Sequence, residues 1–396
     1  MRSLTFAACV LLAAGASAVA APFTPGNDSE VVEQLPLRAT DPAVRRLESM
    51  RQQLRARPND AGLRIDLARR YFDLSMAQGD PRYVGYAQGA LAPLEASAAS
   101  NPSYWLTRGM LEQYNHQFDA ALASLAQVLA LDPRAAEAMS WRAAIFMVRA
   151  RYTDALAECA RMAPLTQPLF TAGCRSYAQA TNGALATAYR DLSAALTAQP
   201  DAPKGLVLWT HTRLAEMAQR LLPPAAAERH FKAALQLGIT DQFLLAAYAD
   251  FLLKQQRPAE VMALLADWER SDILLLRLAL AGQAAKDPRT AGWTTQLRER
   301  FAAASARTER LHEQEAARFM LELEQRPDEA LKIAAANYTT QKEPRDAEVL
   351  MRAALAARQP LAAAPAIAWL RESRYEDAQL AQLATQLATL PAGKAP

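Results

Sequence analysis

The chain has 396 residues, a length that fits two or three ordinary domains or one long array of repeats. Hydrophobic residues make up 51% of it but aromatic residues only 7%, so alanine and leucine supply most of the packing surface, which favours helices over sheets. The 44 basic and 41 acidic residues leave a net charge of +3 without long runs of like charge, so nucleic-acid binding is not indicated.

Residues 1–20 have the features of a secretory signal peptide. Arg2 precedes an apolar run, and the small residues Ala18 and Ala20 suit signal peptidase. We expect cleavage near Ala20, a flexible leader over residues 21–38, and a periplasmic or secreted protein; a retained N-terminal anchor is the alternative. No later segment has 18 uninterrupted apolar residues, so no membrane span is expected after cleavage.

Helical patterns begin after the leader. Pro42 stands at an early helical position, apolar residues follow at helical spacing from Val44 to Leu54, and the helix is expected to end before Pro58. The next two predicted helices are separated by the turn signal Gly79-Asp80-Pro81.

The stretch from Pro102 to Pro168 contains two copies of one pattern at an offset of 34 residues. The first copy has Trp105, Gly109, Phe118, Ala121, Leu125 and Pro133, and the second has Met139, Ala143, Tyr152, Ala155 and Cys159. A period of this length indicates supersecondary units that bury their apolar faces by stacking on neighbours.

These residues resemble the tetratricopeptide repeat, a helix-turn-helix described by Trp, Leu-Gly, Tyr, Ala, Phe and Pro at fixed offsets. Trp105, Gly109, Phe118, Ala121 and Pro133 occupy matching positions, whereas Arg108 and Glu112 replace the family's Leu and first Tyr. The resemblance implies an all-α, right-handed α-solenoid.

The alanine at the helix crossing can be followed along the chain as Ala87, Ala121, Ala155, Ala188, Ala227, Val261, Ala330 and Ala363. The 69-residue gap after Val261 predicts a degenerate repeat between Asp267 and Ala306. The 39-residue step before Ala227 predicts an irregular loop near 201–203 and Pro223-Pro224. About eight hairpins are therefore expected over residues 39–390, followed by a disordered tail over 391–396.

In the family, the first helix of each repeat lines a concave groove that holds a peptide or protein. The corresponding positions are Leu106, Met110, Gln113, Tyr114, Met147, Tyr177, Glu216, Arg220, Asp250 and Lys254. The lysine and asparagine set with which some relatives clamp a C-terminal carboxylate is missing, which favours an apolar or tyrosine-lined groove for an extended peptide or a helix. The alternative is that the Met and Tyr residues at helical spacing belong to the core.

Arginine recurs at Arg108, Arg142 and Arg175, so stacked repeats would place three guanidinium groups in a ladder able to hold an anion. The favoured alternative is that each arginine pairs with a local acid such as Glu112 or Glu137, or extends into solvent.

Cys159 and Cys174 flank a loop centred near Thr166 at similar distances, which would bring them level on antiparallel helices. In an oxidising compartment we expect a disulfide between them. The alternative is two separately buried thiols.

Signals for catalysis are sparse. The histidines His116, His211, His230 and His312 are isolated in the sequence, and no glycine-rich phosphate loop or nucleophile elbow occurs. We therefore expect a non-enzymatic protein-interaction scaffold of the bacterial cell envelope, without metal or cofactor. The alternatives are a cell-wall or glycan hydrolase, or an accessory subunit of one, with an unrecognised site, and a purely structural spacer.

Overall fold

The computed structural model describes residues 42–80, 82–306 and 312–391. The predicted signal peptide, the predicted leader and residues 392–396 lie outside the described residues. Helix α1 crosses the boundary between two compact units, Met1–Ser49 and Met50–Pro396, and the architecture given below is that of the second unit.

The described residues form twenty α-helices and two short 3₁₀-helices, without a strand, as the composition predicts. Their bounds are α1 Pro42–Ala56, α2 Ala61–Gln78, α3 Arg82–Leu91, α4 Pro102–Tyr114, α5 Phe118–Leu131, α6 Ala136–Val148, α7 Tyr152–Met162, α8 Pro168–Thr181, α9 Leu185–Thr197, α10 Lys204–Leu221, α11 Pro224–Leu235, α12 Gln242–Lys254, α13 Pro258–Leu264, α14 Asp272–Ala285, α15 Thr290–Ala306, α16 Glu313–Glu322, α17 Pro327–Tyr338, α18 Pro344–Ala356, α19 Ala364–Glu372 and α20 Ala378–Thr389. None of these helices combines the length and the apolar character needed to cross a bilayer.

Consecutive helices pair into hairpins from α2 with α3 through α16 with α17. Helix α18 then packs against the 3₁₀-helix Pro360–Ala363 and α19, and α20 packs against α18. The fold is thus an all-α solenoid of tetratricopeptide-like hairpins.

The residues that the sequence pattern singles out lie between the two helices at each crossing and are completely buried. Seven alanines and one valine at this position have no solvent exposure at all: Ala87, Ala121, Ala155, Ala188, Ala227, Val261, Ala330 and Ala363. In the first strong repeat, a Cβ atom added to Gly109 would lie 3.0 Å from Cγ of Leu125, so α4 approaches α5 so closely that Leu125 would have to shift to admit a larger residue.

The predicted degenerate repeat is the hairpin of α14 and α15, and in it a tryptophan on the second helix packs where the other hairpins have an alanine. A Cβ atom on Gly282 of α14 would lie 2.8 Å from the ring of Trp293, so the first helix contributes a small residue, as Gly109 does in α4, and the second helix contributes a large one. Trp293, Leu297 and Phe301 fill the space on the α15 side. The alanine that marks the other crossings is missing for this reason.

The irregular step before Ala227 has part of the predicted form, because residues 198–203 form the expected irregular loop between α9 and α10. Helix α10 has 18 residues where α4 and α6 have 13, and it continues to Leu221. Pro224 then starts α11 at its first turn, a position where the missing N–H of proline costs nothing. The prediction of an irregular loop at Pro223-Pro224 is therefore wrong, because most of the additional residues lengthen a helix.

A disulfide joins Cys159 on α7 to Cys174 on α8, with the two Cα atoms 5.8 Å apart. It is the pairing that the sequence predicts. Cys159 is 2% exposed and packs beside Met139 and Met162, so the bond lies in the interface that stacks one hairpin on the next.

Distant hairpins of the second unit also meet, along a contact that we name the closing seam: Val148, Tyr152, Leu185, Lys342, Trp369 and Glu376. The Lys342 backbone N–H donates to the Val148 carbonyl at 2.7 Å. The Trp369 indole N–H donates to the Tyr152 hydroxyl at 2.7 Å, and the Leu185 backbone N–H donates to the Glu376 carboxylate at 2.6 Å. The chain therefore curves tightly enough for α6 to α9 to reach α17 to α20.

Substituting Ala155 with valine tests the helix crossing. We expect Ala155→Val to lower the free energy of unfolding by about 1–3 kcal/mol, because two more carbons must enter a contact without free volume. Ala157→Val, on the exposed side of the same helix, is the control, and the lower helix propensity of valine should cost less than about 0.7 kcal/mol there. Equal losses in urea unfolding would contradict the close contact at Ala155.

Candidate functional site: the concave face

Ion pairs that connect several hairpins, including hairpins that are not neighbours, identify the inner side of the array. Asp250 on α12 accepts from Arg277 on α14 at 2.7 Å and from Arg318 on α16 at 3.0 Å. The Lys254 ammonium lies 3.8 Å from Glu348 on α18, three hairpins further along. Side chains can reach this far only on the concave side of a curved stack, where the first helices converge.

Eight side chains on this side form one connected set, which we name the inner charge network. Its members are Asp250, Lys254, Arg277, Glu315, Arg318, Glu322, Glu348 and Arg352. Four acids face four bases, so the network is neutral. It ties together α12, α14, α16 and α18.

One end of the network is buried. The Arg277 side chain is 2% exposed, donates to the Ile273 carbonyl at 2.8 Å and lies 3.6 Å from the Glu315 carboxylate. Burial alone would raise the pKa of Asp250, but the Arg277 and Arg318 guanidinium groups outweigh that effect and hold the pKa of this carboxyl well below its ordinary value. Removing one partner would leave a buried charge without compensation.

The other end of the network is open to solvent. The Lys254 side chain is 41% exposed, and the two Glu348 oxygens lie 3.8 Å from Lys254 and from Arg352, which is beyond hydrogen-bond distance. Arg352 makes a close contact of 3.0 Å with Glu322, which connects this end to the buried one. Arg352 is thus held in place by Glu322, whereas Lys254 and Glu348 make only the longer contacts of 3.8 Å, and all three side chains retain hydrogen-bonding capacity.

A second polar group occupies the concave side of α8 and α10. The Arg213 guanidinium lies 4.6 Å from the centre of the Tyr177 ring and donates to Glu216 at 2.8 Å. Arg220 lies 4.2 Å from the centre of the Tyr375 ring and donates to a backbone carbonyl. Burial raises the pKa of Tyr177 to about 12, so its hydroxyl stays protonated and available as a donor at neutral pH.

The predicted groove residues on α4 and α6 differ from Tyr177, Asp250 and Lys254, because most of them pack against other side chains. Met110 and Met147 are 2% and 8% exposed and belong to the packing between helices, and Leu106 packs against the core around Phe118. The Tyr114 ring contacts Phe72 edge to face at 6.2 Å. These side chains pack as the alternative interpretation expects, and their role in binding stays a prediction.

Gln113 is half-buried on α4. Of the predicted residues, the structure brings Tyr177, Glu216 and Arg220 into one group, and Asp250 and Lys254 into another. Neither group includes Gln113.

Sequence reasoning missed most of the inner charge network. The available signal was Arg277, the single charge in the apolar run from Ile273 to Ala281, because a charge in a buried helix requires a partner. Arg318 and Arg352 carry no such signal, since arginine is common in this chain and is usually exposed.

The three arginines of the predicted ladder are largely held by local acids. Arg108 donates to Glu112 at 2.8 Å, and Arg142 donates to the buried Glu158 at 2.8 Å. Arg175 is exposed on α8, and no ion pair to it is found within the described ranges. Local pairing thus accounts for two of the three, and anion binding by the ladder stays a prediction.

Glu137, the other acid considered for this role, pairs instead with Arg69 of α2 at 2.6 Å. That contact also links alternate hairpins, as Asp250 does.

Two histidines that appear isolated in the sequence are in contact. The α10–α11 hairpin places His211 Nδ1 3.1 Å from His230 Nδ1, and His230 Nε2 lies 3.0 Å from the Tyr189 hydroxyl. Burial first, and then the nearby His211 and Arg229, lower the pKa of His230 to about 4, so it is neutral at pH 7. In the described part of the chain no three or more His, Cys, Asp or Glu residues are grouped to hold a metal.

Comparisons with known proteins add little to this description of the site. No protein-family model and no curated protein matches the chain. The P58(IPK) TPR domain is similar at 15% identity over 84% of this chain and 98% of its own, with a TM-score of 0.24. The Naa15/Naa10 structure bound to HypK-THB gives 14% identity over 87% and 63%, with a TM-score of 0.27. At such scores neither match supports a statement about this chain, whose architecture rests on its own helices.

Replacing Arg277 with methionine tests the buried end of the network. We expect Arg277→Met to lower the free energy of unfolding by about 3–5 kcal/mol, because Asp250 and Glu315 lose their buried partner. Arg298→Met is the control: Arg298 is 51% exposed and paired with Glu324, and its loss should cost less than about 1 kcal/mol. Similar losses in urea unfolding would show that the pairing around Arg277 is not buried.

The histidine pair predicts a pH dependence of stability. Because the pKa of His230 falls from 6.5 to about 4 on folding, its contribution is fully present above pH 6.5 and is lost as the pH falls toward 4. We expect the unfolding free energy of wild type to decrease more steeply over this window than that of His230→Gln. An NMR titration that gives His230 an ordinary pKa would contradict the prediction.

Proposed function

We propose that this protein is a non-enzymatic scaffold of the bacterial cell envelope that holds a peptide or protein partner on its concave face. The observation that carries the proposal is the open end of the inner charge network. Lys254, Glu348 and Arg352 come from α12 and α18, and their mutual contacts of 3.8 Å leave them able to form hydrogen bonds with a partner.

The buried end of the network supports this role by holding Arg352 of the open end in position. Arg318 bridges Asp250 and Glu322 at 3.0 and 3.1 Å, and Glu322 in turn accepts from Arg352 at 3.0 Å. Polar groups already held in one arrangement lose little conformational entropy when a partner binds, so more of the interaction energy appears as affinity.

The proposed envelope location rests on two independent features. The signal-peptide pattern over residues 1–20 predicts export, and the Cys159–Cys174 disulfide is of a kind that persists in oxidising compartments.

Charge reversal at the open end tests the proposal. Wild-type protein, Lys254→Glu/Arg352→Glu and the control Arg190→Glu/Lys332→Glu would each be used to capture partners from envelope extract, followed by affinity measurement with the captured protein. The control reverses the same two residue types at exposed positions on the second helices α9 and α17. We expect the concave-face variant to weaken binding at least roughly tenfold and the control to leave it unchanged.

Circular dichroism and the thermal unfolding midpoint would verify that both variants fold. Partner binding that is retained by folded Lys254→Glu/Arg352→Glu, or lost equally in the control, would rule out the open end as the binding surface.

A further inference from the structure

A cavity of about 290 Å³ lies beside the closing seam. Its wall contains Arg149 and Tyr152 from the α6–α7 hairpin, and Tyr338 and Lys342 from the end of α17 and the residues after it. Hairpins that are distant in the sequence therefore contribute the two sides. None of these residues belongs to the inner charge network.

Two buried phenol groups on this wall have hydrogen atoms to donate. Tyr338 is 3% exposed, and its hydroxyl has no hydrogen-bond partner among the described residues. The Tyr152 hydroxyl accepts the Trp369 indole N–H at 2.7 Å, which leaves its own O–H available. Burial raises the pKa of both tyrosines, so both hydroxyls stay protonated at neutral pH.

Two cations lie on the same wall. The Lys342 backbone is fixed by its hydrogen bond to the Val148 carbonyl, and its ammonium forms no ion pair within the described ranges. Arg149 pairs with Asp119 and remains 33% exposed. Glu372 is the one acid among the residues that line the cavity. Because Asp119 already neutralises Arg149, the charges of Lys342 and Glu372 balance, and the wall is distinguished by its donors, the two phenol O–H groups and the Lys342 ammonium.

We propose that this cavity binds a small oxyanion, a carboxylate or a phosphate group, between the Tyr338 hydroxyl and the Lys342 ammonium. An oxyanion supplies only acceptors, and hydrogen bonds to a charged acceptor are the stronger kind. The volume of about 290 Å³ lies just below the usual range for ligand pockets, so a small oxyanion fits with room for water beside it. Because both sides of the closing seam contribute, the bound anion links them. The proposal is independent of partner binding on the concave face.

Calorimetric titration of the full chain at constant ionic strength tests the proposal, with sodium phosphate, sodium acetate and neutral acetamide as probes. We expect at least one anion to bind and acetamide not to bind. Preference for phosphate would assign a phosphate group, and preference for acetate a carboxylate. Failure of both anions to bind, or equal binding of acetamide, would overturn the proposal.

Two substitutions identify the site. Tyr338→Phe removes only a hydroxyl without a protein partner, so the fold should be kept while anion affinity falls about fivefold to tenfold. Lys342→Met should reduce the affinity by more than about tenfold, and Lys332→Met, an exposed lysine on α17, should have no effect. Unchanged affinity in Tyr338→Phe, or equal losses in the two lysine variants, would place the anion elsewhere and overturn the proposal.

Discussion

The close contact at the helix crossings is the constraint on which the rest of the structure depends. Ala121 and Ala155 have no exposed surface, and a Cβ atom on Gly109 would lie only 3.0 Å from Leu125. Helices that approach this closely can stack in only a narrow range of angles, because interdigitated side chains leave no free volume for tilting. The same small residue repeated along the chain therefore sets a repeated rotation, and the rotation sets the curvature.

Tight curvature in turn explains the chemistry of the concave face. Asp250 can contact both Arg277 and Arg318 only because alternate first helices converge there. Once the charges are drawn together and shielded from water, each needs its partner, so the pairs become part of the structure as well as a surface. The gradient from the buried Arg277 to the exposed Lys254 follows from their positions along one inner face.

Local sequence patterns predicted the hairpins because a 34-residue period and a buried small residue are properties of neighbouring segments. The pattern failed where Trp293, rather than an alanine, packs on Gly282, although the spacing still required a hairpin there. The concave face was less predictable, since family offsets located Asp250 and Lys254 but not the arginines opposite them. Side chains that meet two or three hairpins apart are brought together by the rotation that each intervening hairpin adds. No short stretch of sequence encodes this summed rotation.

The closing seam differs in kind from the hairpins that it joins. It combines single hydrogen bonds, such as those from Lys342 to Val148 and from Trp369 to Tyr152, each of which contributes about 1 kcal/mol net, with the buried rings of Tyr152 and Trp369. The crossings within hairpins bury apolar side chains completely and are far more costly to separate. A ligand that bridges the cavity would add contacts between the two sides of the seam and would oppose their separation.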